Sequence, residues 1–126
     1  MIKILDTDLY CITAEKYSKG RDNIEVVQKM IDSGIEIIQY REKNKSMREK
    51  YQECQKIRKI TAESGVTFII NDDVDLAMIV GADGVHLGQE DLPVKEVRKI
   101  LGEEFIIGLS THSPQQALAA AEEEID

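Results

Sequence analysis

The sequence has no tryptophan and only two cysteines and two prolines among its 126 residues. Cys11 and Cys54 are spaced like neither a zinc motif nor a disulfide framework, so we expect both to be buried, reduced thiols. No apolar run approaches the ~18 residues of a membrane span, and no run near Met1 has the length of a signal peptide. These absences predict a cytoplasmic protein without a membrane partner.

Positive charge is also scarce. The chain carries 16 lysines and arginines against 24 acidic residues, which gives a formal net charge of −8. A nucleic-acid-binding protein needs a basic face, and the sequence contains no stripe of lysine and arginine that would form one. Any anionic ligand must therefore be held by local positive charge or by a bound metal ion.

Strand-like and helix-like segments alternate along the chain, whose length suits one domain over residues 1–126. β-Branched runs predict strands at 9–13, 35–40, 66–70, 84–87 and 105–109. Amphipathic segments predict helices at 22–33, 46–64, 73–80 and 93–101, and a last helix from Ser113. Asp22 with Glu25, and Ser46 with Glu49, form capping-box pairs that mark two helix starts.

The predicted helices have apolar sides that would pack against a sheet. The expected buried residues are Met47, Tyr51, Cys54, Ile57 and Thr61 in the second helix, Val94, Val97, Ile100 and Leu101 in the fourth, and Leu118 and Ile125 in the fifth. Helices alternating with apolar strands predict a parallel sheet covered by helices. Five such units fit either a doubly wound sheet or part of a (β/α)₈ barrel, and periodicity does not distinguish the two.

Polar side chains cluster directly after four of the predicted strands, where ligands bind in parallel α/β folds. The clusters are Gln39, Arg41 and Lys43; Asn71, Asp72 and Asp73; His86, Gln89, Glu90 and Asp91; and Ser110, Thr111 and His112. Taken singly, these residues suit simpler roles: helix caps for the aspartates, solvated charges for Arg41 and Lys43, and a turn for His112. Four successive clusters at one rim favour a functional site.

This set of side chains suits the handling of a diphosphate. Mg²⁺ prefers one or two protein carboxylates and leaves its other positions to phosphate oxygens and water. Asp72 and Asp91, at neighbouring strand ends, are the candidate metal ligands. Arg41 offers a planar fork of donors and Lys43 a mobile point charge for the same phosphates.

Four ordered segments resemble the thiamine-phosphate synthase family. Gln39 to Lys43 resembles its Q-x-R-E-K segment, and Ile69 to Ala77 resembles its I-I-N-D-x-V-D-L-A segment. The stretch from Gly81 to Pro93 is similar to the most distinctive part of the family, and Ile107 to Ser113 continues the order. The resemblance covers the chain from Leu9 to its end.

The resemblance implies a (β/α)₈ TIM barrel that joins hydroxymethylpyrimidine diphosphate to a thiazole phosphate and releases pyrophosphate. It implies that Mg²⁺ is the cofactor, held by Asp72 and Asp91, and that Lys43 and Ser110 are catalytic. The implied substrate-binding residues are Gln39, Arg41, Lys43, Asn71, Ser110, Thr111 and His112. The implied reaction starts with cleavage of the bond to diphosphate, which leaves a pyrimidine-stabilised carbocation for the thiazole nitrogen.

Three other functions remain open at this point. A thiazole tautomerase of the same superfamily would use a histidine near His112, but such relatives tend to lack the paired carboxylates and the lysine. A generic phosphate-sugar barrel enzyme would have no use for Asp72 and Asp91 together. A non-catalytic fragment would fold, or bind diphosphate, only with a partner.

The length itself departs from the family pattern. A complete barrel usually needs ~200 residues or more, so we expect a partial TIM barrel of about five βα units. Glu122, Glu123 and Glu124 are expected in the last turn of the fifth helix, where negative charge opposes the helix dipole. The family's P-T-x-T-K-like loop and later phosphate-binding loops have no counterpart in the sequence. We expect unpaired edge strands and an exposed barrel interior, and hence self-association.

Overall fold

The computed structural model describes residues 6–126. The strands are β1 (Cys11–Ile12), β2 (Ile37–Tyr40), β3 (Thr67–Asn71), β4 (Gly84–Leu87) and β5 (Ile106–Leu109). The helices are α1 (Asn23–Asp32), α2 (Met47–Ser64), α3 (Val74–Val80), α4 (Val94–Leu101) and α5 (Pro114–Ala120), with a 3₁₀ turn at Glu15–Tyr17. No helix within this range is long and apolar enough to cross a membrane. The start of the chain, used above to argue against an export signal, lies outside the described residues.

All five strands are parallel and lie in the order β1-β2-β3-β4-β5. Each strand therefore pairs with its neighbours in sequence, and right-handed crossovers put the helices on one side of the sheet. A doubly wound sheet reverses its strand order at a switch point, whereas a (β/α)₈ barrel does not. The observed order is that of five consecutive units of a barrel.

Local sequence signals set where the helices begin and end. The Asp22 carboxylate accepts a hydrogen bond from the Glu25 amide at 2.8 Å, and the Ser46 hydroxyl accepts one from the Glu49 amide at 3.2 Å. Gly65 ends α2 in the left-handed conformation with φ of 70°. The predicted capping pairs and the glycine stop are confirmed.

The two faces of the sheet pack differently. The outward face joins the helices in the main core, with Ile38 and Phe68 fully buried among them. The inward face carries a separate layer of Ile37, Ile69 and Ile106, each at most 4% exposed. The expectation of an exposed interior is therefore wrong for this lower layer. The barrel interior is exposed nearer the rim, where Ile12 is half exposed.

Several predicted core positions are wrong. Met47, Ile100 and Leu118 are exposed. Met47 is the first residue of α2, and Ile100 lies off the Val94–Val97–Leu101 stripe that buries α4. Helix α5 ends at Ala120, so Leu118 and Ile125 do not share a helix.

Other boundaries also differ from the sequence expectation. Glu122, Glu123 and Glu124 follow α5 rather than forming its last turn. Strand β1 is two residues long instead of five. Cys54 is buried as expected, whereas Cys11 is only partly buried.

An arginine–aspartate clamp occurs twice. Arg58 of α2 pairs with Asp83 at 2.9 Å, and the same carboxylate oxygen accepts a hydrogen bond from the Phe68 amide of β3. Arg98 of α4 pairs with Asp126 at 3.1 Å, and that carboxylate accepts from the Ile107 amide of β5. Each clamp ties a helix, the strand that follows it, and the segment beside that strand.

Candidate active site

The carboxyl ends of β2 to β5 surround a cavity of about 590 Å³. We call this opening the rim cavity; its lining residues are Arg41, Lys43, Asn71, Asp72, His86, Gly88, Gln89, Glu90, Asp91, Ser110, His112 and Gln116. The parallel register brings the four strand ends to one level, because Ile70 lies beside Tyr40 and Asn71 beside His86. The predicted convergence of the four clusters is therefore observed.

Lys43 and Asp72 form an ion pair across this cavity, with Lys43 Nζ 2.5 Å from Asp72 Oδ2. The backbone of Asp72 is left-handed, with φ of 64°, and its amide donates to the His86 carbonyl at 2.8 Å. Burial works against ionisation of this carboxyl. Hydrogen bonds with Lys43, Asp91 and Asn71 outweigh burial, so the pKa of Asp72 lies below its usual value.

The Asp91 carboxylate lies within hydrogen-bonding reach of Asp72. Its Oδ2 atom accepts a hydrogen bond from the Gly88 amide at 2.6 Å. A Cβ atom on Gly88 would lie 3.1 Å from the same oxygen, so the glycine gives the carboxylate room. Asp72 and Asp91 both line the rim cavity.

This pair fits the ligand preference of Mg²⁺. Among residues 6–126 no group of three or more histidine, cysteine or acidic side chains is arranged to hold a metal. Zinc-type sites need three or four such ligands. Mg²⁺ takes one or two carboxylates and completes its shell with substrate phosphate and water. Asp72 and Asp91 are therefore suited to Mg²⁺ with a phosphate ligand.

His86 and Ser110 form a second polar pair inside the cavity. His86 Nε2 lies 2.8 Å from Ser110 Oγ, and the Ser110 carbonyl accepts from the Gln89 side chain at 2.8 Å. Burial lowers the pKa of His86, and the nearby Asp72 carboxylate acts in the opposite direction. A neutral imidazole here can donate to the serine or accept from it.

Gly108 makes the position of His86 possible. A Cβ atom at residue 108 would lie 2.4 Å from His86 Nδ1. The sequence places His86 in the cluster after the fourth strand but assigns it no role. A signal was available, because Val85 and Leu87 point to the helices and strand alternation turns His86 to the interior.

A second, deeper cavity of about 320 Å³ adjoins the first. It shares Arg41, Asn71, His86 and Ser110 with the rim cavity, and Tyr10, Ile12 and Gln39 complete its lining. Gln39 is buried and donates to the Tyr10 hydroxyl at 3.0 Å. Burial raises the pKa of Tyr10, and the bond from Gln39 partly offsets this.

The remaining predicted residues have mixed outcomes. His112 lines the rim cavity, while its amide donates to Gln116 Oε1 at 2.6 Å. Of the predicted site residues, Thr111 alone lies outside the lining of both cavities, as far as residues 6–126 describe them. Asp73 occupies the cap position of α3, but its carboxylate pairs with Lys50 at 2.8 Å instead of capping.

Comparison with known proteins gives one consistent family. The family model described as thiamine monophosphate synthase matches residues 9–126. A thiamine-phosphate synthase of Pelotomaculum thermopropionicum is 61% identical over 123 residues, which cover 98% of this chain and 56% of that protein. A thiamine-phosphate synthase of Caldicellulosiruptor saccharolyticus is 61% identical over 119 residues, covering 94% of this chain and 54% of that protein.

The solved structure of a thiamine phosphate pyrophosphorylase from Pyrococcus furiosus superimposes with a TM-score of 0.85 at 36% identity. The match covers 93% of this chain and 56% of that structure. The chain thus spans about half the length of the proteins it matches.

Proposed function

Because the chain belongs to the thiamine monophosphate synthase family, we propose that it provides the pyrimidine diphosphate site of a thiamine-phosphate synthase. The reaction joins hydroxymethylpyrimidine diphosphate to a thiazole phosphate and releases pyrophosphate. The observation that carries this proposal is the meeting of Lys43, Asp72 and Asp91 in one cavity. Paired carboxylates beside cationic side chains suit Mg²⁺-dependent binding of a polyanion by an acidic protein.

Each charged group has a role in this proposal. Asp72 and Asp91 would hold Mg²⁺, which would supply positive charge to neutralise the departing diphosphate. Arg41 and Lys43 donate to the same phosphate oxygens, and Lys43 is catalytic because it stabilises charge that develops as the bond to carbon breaks. No side chain needs to act as a nucleophile.

The polar groups deeper in the barrel suit the pyrimidine. Gln39 and Asn71 offer amide donors and acceptors, and Ser110, hydrogen-bonded to His86, offers a hydroxyl to the same cavity. Ser110 is the second catalytic residue of the proposal. Thr111 and His112 are assigned to the outer part of the substrate site.

The alternative of a thiazole tautomerase is less well supported. His112 lines the cavity, as that function would require. A tautomerase, however, has no need for Lys43 and two adjacent carboxylates, all three of which line the same cavity. The proposal therefore keeps the synthase reaction.

The proposal extends to the state of the chain in the cell. We place it in the cytoplasm, where its phosphorylated substrates would be found. We expect it to self-associate, because β1 and β5 are edge strands and Leu9, Tyr10 and Ile12 are exposed at one of those edges. If the chain eluted from gel filtration as a monomer at micromolar concentration and also melted cooperatively, this part of the proposal would be contradicted.

Two measurements test the proposal. Incubation with both substrates and Mg²⁺ should yield thiamine phosphate; no turnover would leave only the binding or fragment function. Calorimetry should detect pyrophosphate binding that requires Mg²⁺, and Asp91→Ala should weaken it by about tenfold or more. Glu103→Ala is the matched control, since Glu103 is an exposed acid that lines neither of the two cavities. Unchanged affinity in Asp91→Ala would overturn the metal assignment.

A further inference from the structure

Glu53 is a carboxylate of α2 that sits in an unusual polar cluster away from the rim cavity. Its side chain is 16% exposed. Its Oε1 atom accepts from the Tyr40 hydroxyl at 2.6 Å and from Asn23 Nδ2 at 3.2 Å, and its Oε2 atom accepts from Lys45 Nζ at 3.1 Å. Three donors, two from residues 40–45 and one from α1, therefore meet on one side chain.

Asn23 links this carboxylate to a second one. Its Nδ2 atom also donates to Glu42 Oε2 at 3.0 Å, and the residue is fully buried. Within the described part of the chain its Oδ1 atom has no hydrogen-bond partner. The position of this amide is thus set by the two acids, Glu42 and Glu53, between which it lies.

Glu42 lies between two residues of the proposed diphosphate site. Arg41 and Lys43 both line the rim cavity. Glu42 reaches α1 through Asn23, and it also accepts from the Glu15 amide at 3.1 Å. Arg41 and Lys43 therefore face the rim cavity, whereas Glu42, which lies between them in sequence, contacts α1 and the 3₁₀ turn.

Lys45 fastens the far end of the same loop. Its ammonium lies 3.0 Å from Glu15 and 3.1 Å from Glu53. Tyr40, Glu42 and Lys45 are thus all tied, directly or through Asn23, to Glu53. These three anchors alternate in sequence with Arg41 and Lys43, whose direction they fix.

We propose that Glu53 is a positioning residue, which holds residues 40–45 against α1 and α2 so that Arg41 and Lys43 face the diphosphate. The inference rests on the proposed function of the rim cavity. It adds to that function a residue, Glu53, that would not contact the substrate and that is negatively charged like the diphosphate. A loop that is anchored before the anion arrives has less reorganisation left to undergo on binding, which is the source of the effect.

The test compares Glu53→Gln with Glu63→Gln, an exposed acid in the last turn of the same helix. Glutamine keeps the shape but turns an amide donor toward Lys45 or Asn23, which are donors themselves. We expect Mg²⁺-dependent pyrophosphate affinity to fall about tenfold in Glu53→Gln and to stay unchanged in Glu63→Gln.

Amide hydrogen exchange supplies a readout that needs no ligand. The Glu15 amide bonds to Glu42, and the Arg41 amide bonds to Thr13 Oγ1 at 2.9 Å. Both amides should exchange at least about tenfold faster in Glu53→Gln while the middle of α2 stays protected. Unchanged exchange at both amides, or unchanged affinity in a chain that binds pyrophosphate, overturns the inference.

A second pair of variants covers the case in which Glu53→Gln fails to fold. Lys45→Met removes the loop anchor but leaves the bond from Tyr40 to Glu53. Lys45→Arg keeps a cation between Glu15 and Glu53 and should restore exchange rates and affinity to within about threefold of the unsubstituted chain. Equal behaviour of the two variants contradicts the inference. Absence of pyrophosphate binding by the unsubstituted chain contradicts the proposed function instead, and the exchange rates then decide the inference.

Discussion

Lys43 Nζ and Asp72 Oδ2 lie 2.5 Å apart, although the two residues follow different strands. The lysine side chain is 51% exposed and the aspartate side chain 27% exposed. An ion pair this open contributes about 0–1 kcal/mol to stability. Its significance is electrostatic, because it holds an ammonium group against Asp72, one of the two candidate metal ligands.

Replacement of Lys43 should therefore change two affinities in opposite directions. In Lys43→Met, Mg²⁺ alone should bind about two- to fivefold more tightly, since no ammonium competes for Asp72. Pyrophosphate in the presence of Mg²⁺ should bind about tenfold or more weakly, because a charge-assisted contact is lost. Calorimetry measures both, with Lys59→Met, an exposed lysine of α2, as the charge-matched control. Affinities that fall together would mean that Lys43 does not compete with the metal.

Addition of one methyl group at Gly108 should displace His86. The new Cβ would lie 2.4 Å from His86 Nδ1, so Gly108→Ala should break the bond from His86 to Ser110 and cost about 1–3 kcal/mol of stability. Urea denaturation measures the cost. In a His86→Ala background the same substitution should cost much less, because the clashing ring is absent. If Gly108→Ala lowered the free energy of unfolding equally with and without the His86 ring, the clash with His86 would not be the cause.

The two arginine clamps should differ in their contribution to stability. Arg98 is 7% exposed and donates to the carbonyls of Gly102, Phe105 and Glu124 as well as to Asp126. Arg98→Met should cost about 3–5 kcal/mol, since it removes the cation from a carboxylate that is only 13% exposed and the donor from three backbone carbonyls.

Arg58→Met provides the comparison. The Arg58 side chain is 19% exposed, against 7% for Arg98, so its ion pair is better solvated. We expect a cost of about 1–2 kcal/mol. Urea unfolding of the two variants gives the order directly, and a larger loss in Arg58→Met would contradict the account of both clamps.

Lys45 should give the loop anchor a dependence on alkaline pH. Burial opposes the charged form, but hydrogen bonds to Glu15 and Glu53 outweigh it and raise the pKa of Lys45 above its usual 10.5. A group whose pKa is raised on folding contributes its full stabilisation at pH values below its unfolded-state pKa. That contribution is lost as the pH rises through its folded-state pKa. The stability difference between the unsubstituted chain and Lys45→Met should be constant below about pH 10 and shrink above it. A difference that does not change up to pH 12 would exclude this titration.

Much of the fold could be predicted because its signals are local. The capping residue Ser46 and the terminating glycine Gly65 mark the first and last residues of α2. The predicted strand at 84–87 coincides with β4. Strand order is a non-local property, so the choice between a barrel and a doubly wound sheet needed the structure. The predictions for Ile100 and Leu118 are wrong because the spacing of apolar residues near a helix end does not determine whether a side chain faces the core. Both side chains are exposed.

The site could be predicted in outline but not in its contacts. Strand ends predict which residues share a rim, and Asp72 and Asp91 both line the rim cavity. Thr111 comes directly after Ser110, yet it is exposed and lines neither cavity, which the sequence pattern does not indicate. The bond between His86 and Ser110 depends on the register of β4 with β5 and on the missing side chain of Gly108, which no single-strand pattern contains.

The left-handed backbone of Asp72 limits which amino acids evolution or an experimenter can use there. Among residues with a side chain, asparagine and aspartate tolerate that conformation best, because a short polar group can bond locally. Glutamate would keep the acid but meet the steric penalty, and glycine would relieve the penalty but lose the acid. Asp72→Asn is consequently the substitution that changes charge while leaving the main chain undisturbed, and a longer acid at this position would not be a conservative exchange.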